Sequence, residues 1–214
     1  MANLPSLDTQ ARVVSDAAQH FVEHYYDSLN NRRPLAQYYA SASAHLTSAS
    51  VRPDISVNGQ VVESVAAYEA LLDAQGRGVH YDIVSFDAQP VNPSFALGCP
   101  ESLAPGADGT AGPGRGRVAK SIRDGDRVSF AVQVNGTVRY GKPGDVAAAA
   151  PAAVAGGGNA AAAATTTTTT TDREPLESAF NEAWLLVPHW EALGRNAARG
   201  LKKWVVVSQN FRVL

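Results

Sequence analysis

The stretch Lys202-Lys203-Trp204-Val205-Val206-Val207-Ser208-Gln209-Asn210-Phe211-Arg212-Val213-Leu214 decides the fold. Its Val and aromatic content reads as a long β-strand. Strict alternation puts Trp204, Val206 and Leu214 on one face, with Val205, Val207, Phe211 and Val213 on the other. A strand with one face in water is apolar on one side only. This one is apolar on both sides. The second face is therefore expected to meet the chain's own helices, a ligand or another chain.

Upstream, the pattern is helical before it is extended. Val14, Ala18, Phe21, Tyr25 and Leu29 recur at helical spacing within residues 9–30, with Asp8 as the expected N-cap. Pro34 suits the first turn of a short helix ending at Tyr39. Residues 46–62 read as a hairpin around Asn58-Gly59, because both positions tolerate positive φ. Ser64 caps a third helix carrying Val65, Tyr68, Leu71 and Leu72, which Gly76 and Gly78 end. Period two then takes over. Val79 to Val91 is one strand. Val128, Phe130, Val132 and Val134 share one face of another, which Asn135-Gly136 bends or turns. Residues 178–190 make a third, with Phe180, Trp184 and Leu186 on one face. Three helices followed by mostly antiparallel strands predict an α+β fold, with the helices on one face of a curved sheet.

Two stretches stand outside that plan. Residues 90–117 are rich in Pro and Gly. Residues 141–173 are low-complexity, ending in a run of seven threonines, Thr165 to Thr171. Both are expected to be loop insertions in one domain spanning 1–214, the second of them disordered. Removing them leaves roughly 150 residues, the size of one ordinary domain. Closing the second loop costs only about 3 kcal/mol, so paired strands tolerate it.

Of the 214 residues, 45% are hydrophobic, and the formal charge is −2. Neither that charge nor the pI near 6.2 fits a whole-surface nucleic-acid binder. The single cysteine, Cys99, forms no intramolecular disulfide and suits a reducing compartment. No apolar run is long enough to span a membrane, and no secretory leader is visible. A soluble intracellular protein is the expectation. There is no glycine-rich phosphate loop and no metal-ligand spacing among the five His and the Cys. No cofactor, metal or catalytic residue is therefore assigned.

His80-Tyr81-Asp82-Ile83 with Asp87-Ala88-Gln89-Pro90 resembles the central strand of nuclear transport factor 2-like proteins. The closing stretch Trp204 to Arg212 resembles their last strand. The Asn-Gly hairpin followed by Val65 to Leu72 fits the same plan. Within that family, the long interruptions resemble small subunits of fungal mRNA export receptors. The resemblance implies a cone-shaped α+β fold and sheet-to-sheet pairing with a similar domain of a large receptor subunit. It also implies binding of Phe-Gly nucleoporins, export of mRNA and of the large (pre-60S) ribosomal subunit, and a location in the nucleus and nuclear pore with shuttling to the cytoplasm. Alternatives on the same fold are a homodimeric importer of the GTPase Ran and an isomerase- or dehydratase-like enzyme.

Trp184, Leu186, Trp204, Val206, Phe211 and Arg212 are the expected partner-interface residues. The resemblance implies that Arg212 meets a carboxylate of the partner. Arg115, Arg117, Lys120, Arg123 and Arg127 form a basic cluster, of which the first four are expected to touch RNA phosphates. For an enzyme, the available groups are Asp82, Asp87, Tyr81, His80 and His45, but no spacing marks a pocket around them.

Overall fold

The computed structural model describes residues 4–76, 78–103, 121–141, 176–194 and 197–214. The long helix α1 runs Leu7–Asn30 and starts at Ser6, whose hydroxyl accepts the Thr9 N–H. The cap is thus Ser6 and not Asp8, which sits inside the first turn, where its charge suits the helix dipole. Short 3₁₀ turns follow at Ala36–Tyr38 and Ala40–Ala42, in place of the helix expected from Pro34. Helix α2 spans Ala44–Ser48 and takes up Leu46, so the hairpin is shorter than the sequence implies.

That hairpin pairs β1, Asp54–Val57, with β2, Gln60–Val62. Asn58 and Gly59 both carry positive φ, 51° and 82°, which matches the two-residue turn. Helix α3, Val65–Ala74, is capped by Ser64 accepting from the Ala67 N–H. Three long strands then form the body of the sheet: β3, His80–Asn92; β4, Ser129–Tyr140; and β5, Leu176–Pro188. The last strand, β6, is Trp204–Val213. The six strands lie in the order β2-β1-β6-β5-β4-β3, antiparallel except for β1 beside β6. The α+β expectation holds. Strand β3 runs past residue 90, with Pro90 opposite Phe130, so the first insertion starts later than its composition suggested. Asn135-Gly136 makes no turn: β4 continues through it, opposite an irregularity in β3 between Ile83 and Ser85.

Helix α1 covers the inner face of the sheet. Trp184 lies beneath it with ring centroids 5.3, 4.9 and 5.8 Å from Phe21, Tyr25 and Tyr26. Phe130, Val132, Val134 and Val138 of β4 and Phe180, Trp184 and Leu186 of β5 face the same core.

The terminal strand departs from strict alternation. Leu186 pairs with Val206, yet the next residue, Leu185, pairs with Ser208, so Val207 is an extra residue in β6. Such a bulge flips the side-chain parity of everything beyond it. Trp204 and Val206 therefore share the inner face with Gln209, Phe211 and Val213. Phe211 stacks on Phe180 at 5.3 Å, and Trp204 meets Phe130 edge-on at 5.8 Å. Val205, with Val207 packed against it, faces outward, where the chain covers these residues itself. Ala40, Leu46, Val187, Trp190 and Val205 form a second small core, against which Val51, Phe95, Cys99 and Leu193 pack.

Candidate partner interface

Trp184, Leu186, Val206 and Phe211, expected at an interface, are buried in this chain's own core, and Trp204 is packed against it. Two physical causes explain the correction. The bulge moves Phe211 to the helix side, and the second core covers the outward Val205. Of the six expected residues, only Arg212 is exposed on the outer face, where its Nε lies 3.3 Å from Asn210 Oδ1.

What remains uncovered on that outer face is mostly polar or small, with Leu185 half-buried in its first row and Val84 exposed on β3. The strand register sets its rows. Gln89, Ala131, Leu185, Ser208 and Asp54 make one; Asp87, Gln133, Ala183, Asn210 and Ser56 make the next; Ser85, Asn135, Asn181 and Arg212 make the third. The Asn181 amide donates to Asn135 Oδ1 at 2.9 Å and to the Val134 carbonyl at 3.2 Å. Ala131, Gln133, Asn135 and Ala183 are exposed at its centre. Of its charges, Asp87 lies on the edge strand β3 and Arg212 near the end of the central strand β6, with Arg139 held by Asp82. An amide-lined sheet face with small central side chains suits a second sheet laid against it, since amides supply both donors and acceptors.

The core beneath this face holds a carboxylate that sequence patterning missed. Glu182 is fully buried on β5. Tyr26 Oη donates to one oxygen at 2.5 Å, and Gln209 Nε2 donates to the other at 2.5 Å. Gln209 in turn accepts from Tyr39 Oη at 2.5 Å, and Tyr39 meets Tyr25 at 2.9 Å. Burial, partly offset by those hydrogen bonds, pushes the Glu182 carboxyl up to about 7. Burial also drives the Tyr25 and Tyr26 phenols up, so both remain O–H donors. Period two puts Glu182 on the inward face between Phe180 and Trp184, but nothing local names the groups that receive it. Its partners come from α1 and β6, far away in the chain.

The groups weighed for catalysis do not converge. Asp82 is paired with Arg139 and lies 3.3 Å from His80 Nε2, on the outer side. Tyr81 points inward and donates to Gln75 Oε1 at 3.0 Å. Asp87 accepts from the Gln89 amide at 3.2 Å, and His45 is exposed on α2. Of the basic cluster, Arg123 is exposed. Arg127 is not a solvated cation but is buried, its guanidinium donating to the Leu103 carbonyl and lying 5.8 Å over the Trp190 ring. Arg115, Arg117 and Lys120 lie outside the described residues, as does residues 142–173 of the second insertion.

No protein-family model and no curated protein matches the sequence. Solved structures do. A chain of the complex of a Sac3N peptide with Mex67:Mtr2 superposes with a TM-score of 0.67, at 25% identity over 94% of this chain and 99% of that one. This chain is nuclear transport factor 2-like and similar to Mtr2. A chain of the Chaetomium thermophilum complex between the Mex67 NTF2-like domain and Mtr2 gives 0.66, at 25% identity over 94% of this chain and 98% of that one. Mtr2 alone gives 0.64 at 23% identity, with coverage of 94% and 99%. In this fold α1 covers the inner face, and the second small core covers only the Val187 and Val205 end of the outer one, which leaves the amide rows exposed.

Proposed function

We propose that this Mtr2-like chain is the small, non-enzymatic subunit of a heterodimeric nuclear mRNA export receptor. One observation carries the proposal: 25% identity to chains of Mex67:Mtr2 complexes, over nearly the full length of both. The outer sheet face supports it, its amide rows being uncovered and uncharged at their centre. The partner is a large subunit with a similar sheet, and Arg212, near the end of β6, pairs with one of its carboxylates. Residues 1–214 act as one domain with two insertions. Binding of Phe-Gly nucleoporins, passage through the nuclear pore between nucleus and cytoplasm, and carriage of pre-60S particles complete the role. Many weak contacts suit that transit. The basic stretch Arg115, Arg117, Lys120 and Arg123 serves RNA or ribosomal cargo.

Co-expression with the NTF2-like domain of a Mex67-type subunit, followed by light scattering, tests this. A one-to-one complex is expected. A particle of twice 22.4 kDa from the chain alone favours the homodimeric Ran importer, and a stable monomer that ignores the large subunit overturns the proposal.

A further inference from the structure

A groove of about 340 Å³ opens between α1 and the start of β6. Ala17, Phe21, Tyr38 and Trp204 line it with apolar surface, and Val13 extends that surface toward the helix start. Its volume falls at the lower end of the range for ligand pockets, enough for one aromatic side chain and its neighbours. The groove lies on the helix side of the sheet, opposite the outer face, so sheet-to-sheet pairing leaves it open.

The rim has an uneven charge. Lys203 is already matched, with its Nζ 3.1 Å from Asp126 Oδ1 and 5.4 Å over the Trp204 ring. Lys202 has no carboxylate partner among the described residues. Its Nζ stands 4.9 Å over the Tyr38 ring, at the groove edge. His20 and His24 face the same opening, with Asp16 the one acid among its lining residues. The groove thus offers an apolar slot with one unmatched cation at its lip. Phosphate chains need several cations in a row, and Lys202 is the one unmatched lysine among the lining residues. A ligand with one apolar ring and one carboxylate matches both features.

We propose that this groove binds a short peptide segment of a partner protein in which an aromatic residue is followed directly by an acidic one. The ring enters the slot against Phe21 and Trp204, and the carboxylate meets Lys202. The proposal does not depend on heterodimer formation.

The full chain, labelled with ¹⁵N, is titrated with the peptide acetyl-Gly-Phe-Glu-Gly-amide and separately with its Gln counterpart. The indole N–H signal of Trp204 is expected to shift saturably, while those of Trp184 and Trp190 stay in place. Replacing Glu by Gln in the peptide, or Lys202→Ala in the protein, should weaken binding about fivefold, the value of a partly exposed ion pair. Unmoved Trp184 and Trp190 signals in Lys202→Ala show that it is folded. Equal binding of the two peptides overturns the proposal, as does a Lys202→Ala protein that binds unchanged. Titration with a uridine oligonucleotide that shifts Trp204 when the Glu peptide does not would assign the groove to RNA and likewise overturn it.

Discussion

Gln209 Nε2 donates to Glu182 Oε1 at 2.5 Å, across the two central strands and beneath α1. This contact places an amide and a carboxylate where the alternation of β5 and β6 alone would put apolar side chains. Tyr26 from α1 closes the other side of the carboxylate. The helix is thereby tied to the sheet by directional bonds as well as by the stacking around Trp184.

The buried carboxylate makes stability depend on pH. In the unfolded chain Glu182 titrates near its ordinary value of 4.5, and in the fold it is pushed up to about 7. Well below pH 4.5 both states hold the proton, and nothing is lost. As pH rises, the unfolded chain releases its proton first, so folding loses stability, by about 3 kcal/mol once pH exceeds 7. Glu182→Gln should flatten this fall between pH 5 and 8. Urea unfolding at both ends of that window checks it. A wild-type midpoint that is level, or that climbs with pH through the window in step with the variant's, would contradict the assignment.

Ala183 and Trp184 are adjacent but face opposite sides. Ala183→Arg on the outer face should change the stability of the isolated chain by less than about 0.5 kcal/mol, yet abolish pairing with a large subunit. Trp184→Ala should cost about 3–5 kcal/mol, because it empties the space among Phe21, Tyr25 and Tyr26. Thermal melts and co-purification separate the two outcomes. Arg212→Asp should weaken pairing without shifting the melt.

Deleting Val207 should be tolerated far better than adding a residue beside it. Removal of the extra residue leaves Val206 opposite Leu186 and Ser208 opposite Leu185, so Ser208 to Val213 keep their partners and Phe211 still faces Phe180. Cooperative unfolding is expected to survive the deletion, whereas one alanine inserted after Val207 turns Phe211 outward and should abolish it. Thermal melts separate the two, and an insertion variant that melts like wild type would show that this register does not set which way Phe211 points.

Gly136 of β4 pairs with Ile83 of β3. A Cβ there would fall on the Asp82 carbonyl oxygen and 2.7 Å from Phe180 Cε1. Gly136→Ala should destabilise by about 1–3 kcal/mol, the usual cost of overpacking. Differential scanning calorimetry reads this directly. A melting point equal to wild type would mean that the two strands separate there without cost.

Much of the fold was legible in the sequence because the relevant signals are local. The stripe of α1 needs only helical periodicity, and the cap of α3 only Ser64. The Asn58-Gly59 turn needs only two residues that tolerate positive φ. The alternation of Val128 to Val134 is likewise a local pattern, and β4 keeps it through Gly136. The expected site fared worse. The residues chosen for size and apolarity, Trp184, Leu186, Val206 and Phe211, are those the chain buries in its own core, because large apolar groups serve a core as readily as an interface.

The sequence by itself determined the kind of each main element and the inward face of β4 and β5, since those follow from side-chain period. Tertiary structure alone decided which way Phe211 points. One extra residue, Val207, inverts the alternation, and nothing in Val205-Val206-Val207 marks which Val is the extra one. It also decided what satisfies the inward Glu182, because Tyr26 and Gln209 reach it from 156 and 27 positions away. The open face is therefore the amide-rich one around Asn135, Asn181 and Asn210, and its identity rests on strand register, a long-range property that no short window of sequence encodes.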